Sequence, residues 1–311
     1  MLVPILKTLR PHQWVKNLFV ALPLVFAKRL LDQSSALRAA AAVGLFCALS
    51  GAVYLLNDVA DIEKDRAHAK KKHRPIASGR LPVGVALALA GTLALGALVG
   101  ASALDWRFAA VAGGYVANNL LYSFWLKHVA FVDVLSIATG FFLRVLGGAF
   151  AIDVPSSGWL LAVTSLMAAF LAFGKRTHEL AAAAREVLAS PAYSGPEAVT
   201  TNSQIGKTRR VLEKYKLEQL RLVVYVFGAL TSAAYVAYTL SGHTQRFFHT
   251  RWMWLSAPFC LVGIGRFVWL VSHAAHADSP TDAMLRDPPF VINLVLWAAC
   301  ITALIYQGML G

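Results

Sequence analysis

Apolar runs of about 20 residues recur along this chain with hardly a charge inside them, and each is long enough to cross a hydrocarbon layer of about 30 Å as a helix. The pattern predicts nine spans at roughly 15–31, 36–57, 83–104, 107–126, 130–152, 157–174, 220–240, 252–272 and 289–310. They must be helical: lipid offers no partner to an unpaired backbone group, and the alternation of a β-barrel strand is missing. The first run contains Pro23 and ends on Lys28-Arg29 without a small-residue cleavage signature, so it is read as retained, not as a signal peptide. Two long polar segments, 58–82 and 175–219, interrupt the pattern. Function is expected on the face that carries them, and residues 1–311 are read as a single all-α integral membrane domain.

Composition agrees. Hydrophobic residues make up 58% of the chain and charged residues 14%, with a mean hydropathy of +0.58, which excludes an ordinary soluble globule. The charge distribution adds an orientation. With the N-terminus inside, Lys28, Arg29, Arg38, Arg107, Arg246 and Arg251 face outward and Arg144 and Arg266 fall within spans. Every other Lys or Arg then lies on the inner side, as the positive-inside rule requires. The sequence therefore predicts a multi-pass protein of the inner (plasma) membrane with a cytoplasmic N-terminus and active face. The formal net charge of +13 comes from membrane-flanking loops without a nucleic-acid motif, so membrane lipids and an anionic substrate are the expected partners, and nucleic acid is not. Cys47, Cys260 and Cys300 sit within apolar spans without metal-type spacing and are read as packing residues.

The strongest chemical signal is Asn57-Asp58-Val59-Ala60-Asp61-Ile62-Glu63-Lys64-Asp65, directly after the second span. If the helix continues, Asn57, Asp58, Asp61 and Asp65 fall within an arc of about 100°. Such a face suits Mg²⁺, which takes one or two carboxylates and completes its shell with water and substrate phosphate. Downstream, Lys70-Lys71-Lys72-His73-Arg74-Pro75-Ile76-Ala77-Ser78-Gly79-Arg80 forms a basic loop. Its lysines fit membrane anchoring, whereas Arg74, beside a rigid proline and a Ser-Gly turn, is placed to bind phosphate as a fixed fork.

Together these segments resemble the UbiA superfamily of intramembrane prenyltransferases, whose first signature is an N-D-x-x-D-x-x-x-D run followed by R-P-[LI]-A-S-G. The resemblance implies a helical bundle around a central cavity open to the cytoplasmic face and the bilayer. It also implies Mg²⁺ held against a diphosphate by Asn57 and Asp61 with Asp58 or Asp65. Asp61, Asp65 and Asp58 are the expected catalytic residues.

The second half departs from the aromatic prenyltransferases of the superfamily, which carry another Asp-rich motif after the sixth span. Here that place reads Gly174-Lys175-Arg176-Thr177-His178-Glu179-Leu180. Lys175 and Arg176 would bind a phosphate directly, unless they are an ordinary basic helix end. Further pieces resemble the polyprenyl-phosphate phosphoribosyltransferase branch: Arg10-Pro11-His12-Gln13-Trp14-Val15-Lys16-Asn17, Tyr122-Ser123-Phe124-Trp125-Leu126-Lys127 with Asp133-Val134, Val211-Leu212-Glu213-Lys214-Tyr215, and Leu285-Arg286-Asp287. That branch implies transfer of 5-phosphoribose from phosphoribosyl diphosphate to a polyprenyl (decaprenyl-type) phosphate for lipid-linked arabinose precursor synthesis. Lys16, Asn17, Arg74, Tyr122, Lys127, Arg144, Lys175, Arg176 and Tyr215 are the expected substrate-binding residues. The other reading is an aromatic prenyltransferase that takes a polyprenyl diphosphate and a 4-hydroxybenzoate-like acceptor. Arg144, in mid-span, either faces a polar cavity near the lipid phosphate or pairs with an acid such as Asp133, because exposure to lipid at that depth costs at least about 2.5 kcal/mol.

Overall fold

The computed structural model describes residues 2–68, 71–188, 216–273, 283–284 and 286–307, with backbone alone for 183–188. Lys70, Val211-Leu212-Glu213-Lys214-Tyr215 and Leu285 lie outside the described residues. Every regular element among them is helical. Seven helices are long and apolar enough to span a membrane: Gln33–Ala60, Val83–Leu104, Val132–Ala151, Gly158–Ala182, Leu217–Leu240, Trp252–His273 and Pro288–Tyr306. Of the nine expected spans, seven are such helices among the described residues, one is a more polar helix and one is irregular. The stretch predicted at 15–31 is a 3₁₀ segment, Pro11–Ala21, followed by the short helix Leu22–Phe26, with Pro11 and Pro23 removing backbone donors near each start. The run near 107–126 is a helix of 19 residues, Trp106–Phe124, that carries Arg107, Asn118 and Asn119 among its apolar positions.

The chain divides into two compact units, residues 1–124 with 139–157 and residues 125–138 with 158–311. The first holds α1 (Leu2–Leu9), α2 (Leu22–Phe26), α3 (Gln33–Ala60), α4 (Ile62–Ala67), α5 (Val83–Leu104), α6 (Trp106–Phe124) and most of α7 (Val132–Ala151). Lipid is as apolar as leucine, so these helices associate by close packing rather than by escape from water. Ala42, Ala97, Ala101 and Ala112 surround Phe46 and Phe108, which lets the backbones of α3, α5 and α6 approach. At Gly148 of α7 the requirement is absolute: a Cβ would sit 1.9 Å from the Val20 carbonyl oxygen. That contact seats α7 on the 3₁₀ segment and brings Arg144, one turn earlier, onto Asn17. At the helix ends, Asp32 caps α3 by accepting from the Ser34 amide at 3.2 Å. Arg38 donates to the Leu104 and Ala151 carbonyls at 2.9 and 2.7 Å, closing the last turns of α5 and α7.

The second unit holds α8 (Gly158–Leu188), α9 (Leu217–Leu240), α10 (Gly242–Phe248), α11 (Ala257–His273) and α12 (Pro288–Tyr306). Helices α8 and α9 lie side by side, with Trp159 near Tyr238 and Phe173 near Phe227. α12 begins on Asp287, whose carboxylate accepts from the Phe290 amide at 2.9 Å and pairs with Arg266 at 2.7 Å. Arg266, counted from sequence as a charge inside a span, is thus neutralised.

Candidate functional site

α3 ends where the acidic motif begins to matter. Asp61 is its C-cap, with φ −99° and ψ 12°, and the chain restarts as α4 one residue later. The continuous acidic face expected from Asn57 to Asp65 is therefore broken at Asp61. Asp58 and Asp65 turn inward and are each 3% exposed, while the Asp61 carboxylate lies 3.6 Å from Lys64. Asn57 accepts a short hydrogen bond from the Ser123 hydroxyl of α6.

The basic loop folds onto this carboxylate pair. Gly79, at φ +76°, supplies the left-handed turn that a side chain would strain. Ile76 and Leu81 are buried among Ala52, Leu55, Ala86 and Ala90, which pins the loop between α3 and α5. Arg74 is thereby aimed at the acids: one nitrogen, Nη1, donates to Asp58 Oδ1 at 3.2 Å and to Asp65 Oδ2 at 2.7 Å. A second guanidinium arrives from the N-terminal segment. Arg10 Nη2 donates to the same Asp58 oxygen at 2.5 Å, and the group stacks over the Tyr54 ring at 5.0 Å. Arg10 adopts φ 52° and ψ 61° directly before Pro11, a conformation costing a non-glycine residue of order 1–3 kcal/mol. Sequence reasoning placed Arg10 in a matching stretch but not in the site. Its position before a proline at the mouth of the bundle was the available signal.

Among the described residues no three or more His, Cys, Asp or Glu side chains gather to hold a metal ion. Two carboxylates do converge on one cationic nitrogen, and two is the complement that Mg²⁺ takes when substrate phosphates and water fill its remaining positions. The donor chemistry therefore fits that ion. Asp58 and Asp65 are the residues that could hold it, with Asn57 and Asp61 on the adjoining turn.

Arg144 is 7% exposed and sits deeper in the same unit. It donates to Asn17 Oδ1 at 2.9 Å, to the Gly140 carbonyl at 3.0 Å and to the Tyr115 hydroxyl at 2.9 Å. Its guanidinium also lies over the Tyr115 and Phe141 rings at 4.8 and 5.2 Å. These partners are neutral, so of the two alternatives open for Arg144 the pairing with an acid such as Asp133 is not the one found: an amide, a phenol and a carbonyl take its place. Asn17 completes the network by donating to Ser50 and Cys47 on α3 at 3.0 and 3.3 Å. Tyr115 had no signal in the sequence beyond being a polar aromatic in a span.

In the second unit Asp133 is fully buried and pairs with Arg176, Oδ2 to Nε at 2.6 Å. Arg176 is 1% exposed and also bonds Glu179 at 2.6 Å, one turn along α8. The neighbouring Lys175 is exposed and lies 3.9 Å from Glu179. The two cations that the sequence treated as one phosphate-binding pair are thus in opposite situations: Arg176 is locked inside and Lys175 faces outward. Lys16 and Tyr122 are half-buried in the first unit, and Lys127 is half-buried in the second.

Among the described residues the protein is helical, with helices long and apolar enough to cross a membrane, and the last turn of α3 and the following α4 bring Asp58 and Asp65 together under two arginines. The chain belongs to the UbiA prenyltransferase family, whose sequence profile matches residues 17–187. It is 32% identical to the decaprenyl-phosphate phosphoribosyltransferase of Mycolicibacterium smegmatis, over 97% of this chain and 92% of that protein. It is likewise 32% identical to the Corynebacterium glutamicum protein of the same name, over 97% of this chain and 86% of the relative. A UbiA homologue from Archaeoglobus fulgidus, solved with DMAPP and Mg²⁺, shares the fold with a TM-score of 0.68 at 16% identity, covering 97% of this chain and 98% of that one.

Proposed function

We propose that this protein transfers 5-phosphoribose from phosphoribosyl diphosphate to a polyprenyl phosphate and releases diphosphate. The observation that carries the reading is the likeness, along 97% of the chain, to relatives named for the decaprenyl-phosphate reaction. In this reaction the bond from the anomeric carbon to the diphosphate breaks, and the electron pair leaves with diphosphate. A phosphate oxygen of the lipid forms the new bond on that carbon. The attacking oxygen is already anionic near neutral pH, so positioning matters more than a strong base.

Asp58 and Asp65, with Asn57 and Asp61, would hold Mg²⁺, and Arg74 would bind the diphosphate. When bound, the ion supplies charge neutralisation at the leaving group. Lys175 binds donor phosphate as a point charge, while Arg176 acts through the buried pair that fixes this stretch of α8. Lys16, Lys127, Tyr122 and Tyr215 contribute further phosphate contacts. Arg144, held by Asn17 and Tyr115, provides buried positive charge for the lipid phosphate. The active face and the N-terminus are cytoplasmic, at the inner membrane, from the distribution of Lys and Arg over the loops.

The test is turnover by the purified protein with Mg²⁺. Labelled phosphoribosyl diphosphate and a polyprenyl phosphate should give a phosphoribosyl lipid, and 4-hydroxybenzoate should not be prenylated from a polyprenyl diphosphate. Prenylation of the aromatic acid without sugar transfer would establish the other branch of the family. Lys175→Ala should weaken donor binding by about 1.5–3 kcal/mol, the worth of a charge-assisted hydrogen bond, and leave lipid binding unchanged.

A further inference from the structure

We infer that Arg10 is a substrate-binding residue, and that with Arg74 it makes the site admit its divalent cation only together with a diphosphate. The inference rests on the reading of Asp58 and Asp65 as metal ligands, and it assigns Arg10 a part in that site.

Three observations carry it. The first is order of exposure: the side chains of Asp58 and Asp65 are 4% exposed, whereas those of Arg10 and Arg74 are 26% and 31% exposed. Any ion approaching from water meets the guanidiniums before the carboxylates. The second is charge. Two carboxylates and two guanidiniums already balance, so a divalent cation entering alone would be buried beside two like charges at contact distance. A cation that arrives with a diphosphate brings acceptors for both arginines, which exchange Asp58 and Asp65 for phosphate oxygens as the carboxylates pass to the metal. The third is how the two arginines are mounted. Arg74 is fixed by the buried Ile76 and Leu81 on either side of its loop. Arg10 stands instead in a left-handed backbone conformation at the start of the 3₁₀ segment, held by Asp58 and by the Tyr54 ring. Losing the Asp58 contact releases that strain, so Arg10 is the group positioned to move toward an incoming anion while Arg74 pivots in place.

Arg10, not Arg74, therefore sets how strongly metal and diphosphate depend on each other. The probe is radioactive Mn²⁺ retained by the purified full chain on rapid filtration, compared at matched free Mn²⁺ with and without inorganic pyrophosphate. In the wild type, pyrophosphate should tighten Mn²⁺ binding about tenfold or more, the effect of one or more charge-assisted hydrogen bonds. In Arg10→Gln, Mn²⁺ alone should bind more tightly than to wild type, and most of the pyrophosphate enhancement should vanish. Arg10→Lys, which keeps the charge and loses the fork, should restore part of it and guards against a folding defect in the glutamine variant. Equal Mn²⁺ binding with and without pyrophosphate in the wild type overturns the inference, as does an unchanged enhancement in a folded Arg10→Gln protein. Pyrophosphate is common to sugar and prenyl donors, so this result is independent of which donor the turnover assay identifies.

Discussion

The mouth of α3 and the middle of α8 use the same parts, arginine guanidinium and two carboxylates, and differ in whether the arginine is exposed. At Asp58 and Asp65 the acids are buried and the arginines form the outer layer. At Asp133 and Glu179 the arginine is enclosed together with an acid: Arg176 is 1% exposed, its partner Asp133 is not exposed at all, and only Glu179 reaches outward. An outer layer of partly hydrated cations is exchangeable, because each arginine regains water or phosphate when it leaves. A fully enclosed pair is not, because separating it strands a charge in a medium that cannot solvate it. Proximity of charges in sequence therefore marks both places, and depth sorts them into chemistry and architecture.

The comparison is broken most easily by the largest effect. Arg176→Met removes the enclosed guanidinium that pairs with the buried Asp133, and breaking a buried pair by removing one member should cost about 3–5 kcal/mol of stability. Thermal unfolding in detergent, or the yield of monodisperse protein, should show this loss before any assay of turnover. A stable Arg176→Met protein that fails only in donor binding would make the second cluster a binding site like the first.

Asp65→Asn should behave in the opposite way. Arg74 keeps Asp58 as a partner in that variant, so the protein should remain folded while turnover falls by about 10²–10³-fold, the usual scale for losing one group that stabilises transition-state charge. Near wild-type activity dependent on Mg²⁺ would remove Asp65 from the metal. Collapse of the fold would turn the mouth of α3 into a second structural pair.

The smallest effect comes from a third carboxylate–arginine group, which is more open than either. Hydrogen bonds from Arg107 hold the Asp105 carboxyl down to about 2, below its ordinary value of 3.8. A depressed acid contributes stability that is fully present above its unfolded pKa and is lost as pH falls through the folded one. The difference in melting temperature between wild type and Asp105→Asn should therefore be constant at neutral pH and shrink between roughly pH 4 and pH 2. A difference that persists unchanged at pH 2 would mean that Asp105 acts through its helix-start hydrogen bonds to Arg107 and Phe108 rather than through its charge.

Much of this molecule was open to inspection in the chain. Runs of apolar residues long enough for a bilayer have little choice but to become helices, and among the described residues seven of the nine proposed spans are helices long and apolar enough to cross, with the run near 107–126 also helical. The motifs from Asn57 to Asp65 and from Arg74 to Arg80 identified the family and the acidic mouth, because carboxylates at a membrane boundary are too costly to keep without a partner. Local sequence could not show that Asp61 ends α3, that Arg10 crosses to Asp58, or that the glycine at 148 brings Arg144 onto Asn17 rather than onto an acid. Each depends on which backbones approach, and that is settled by small residues packing across helices far apart in the chain. Burial is likewise a property of the assembled unit: Lys175 and Arg176 are neighbours in sequence and carry the same charge, but successive helical residues point about 100° apart, so packing against the rest of the unit enclosed one and left the other outside.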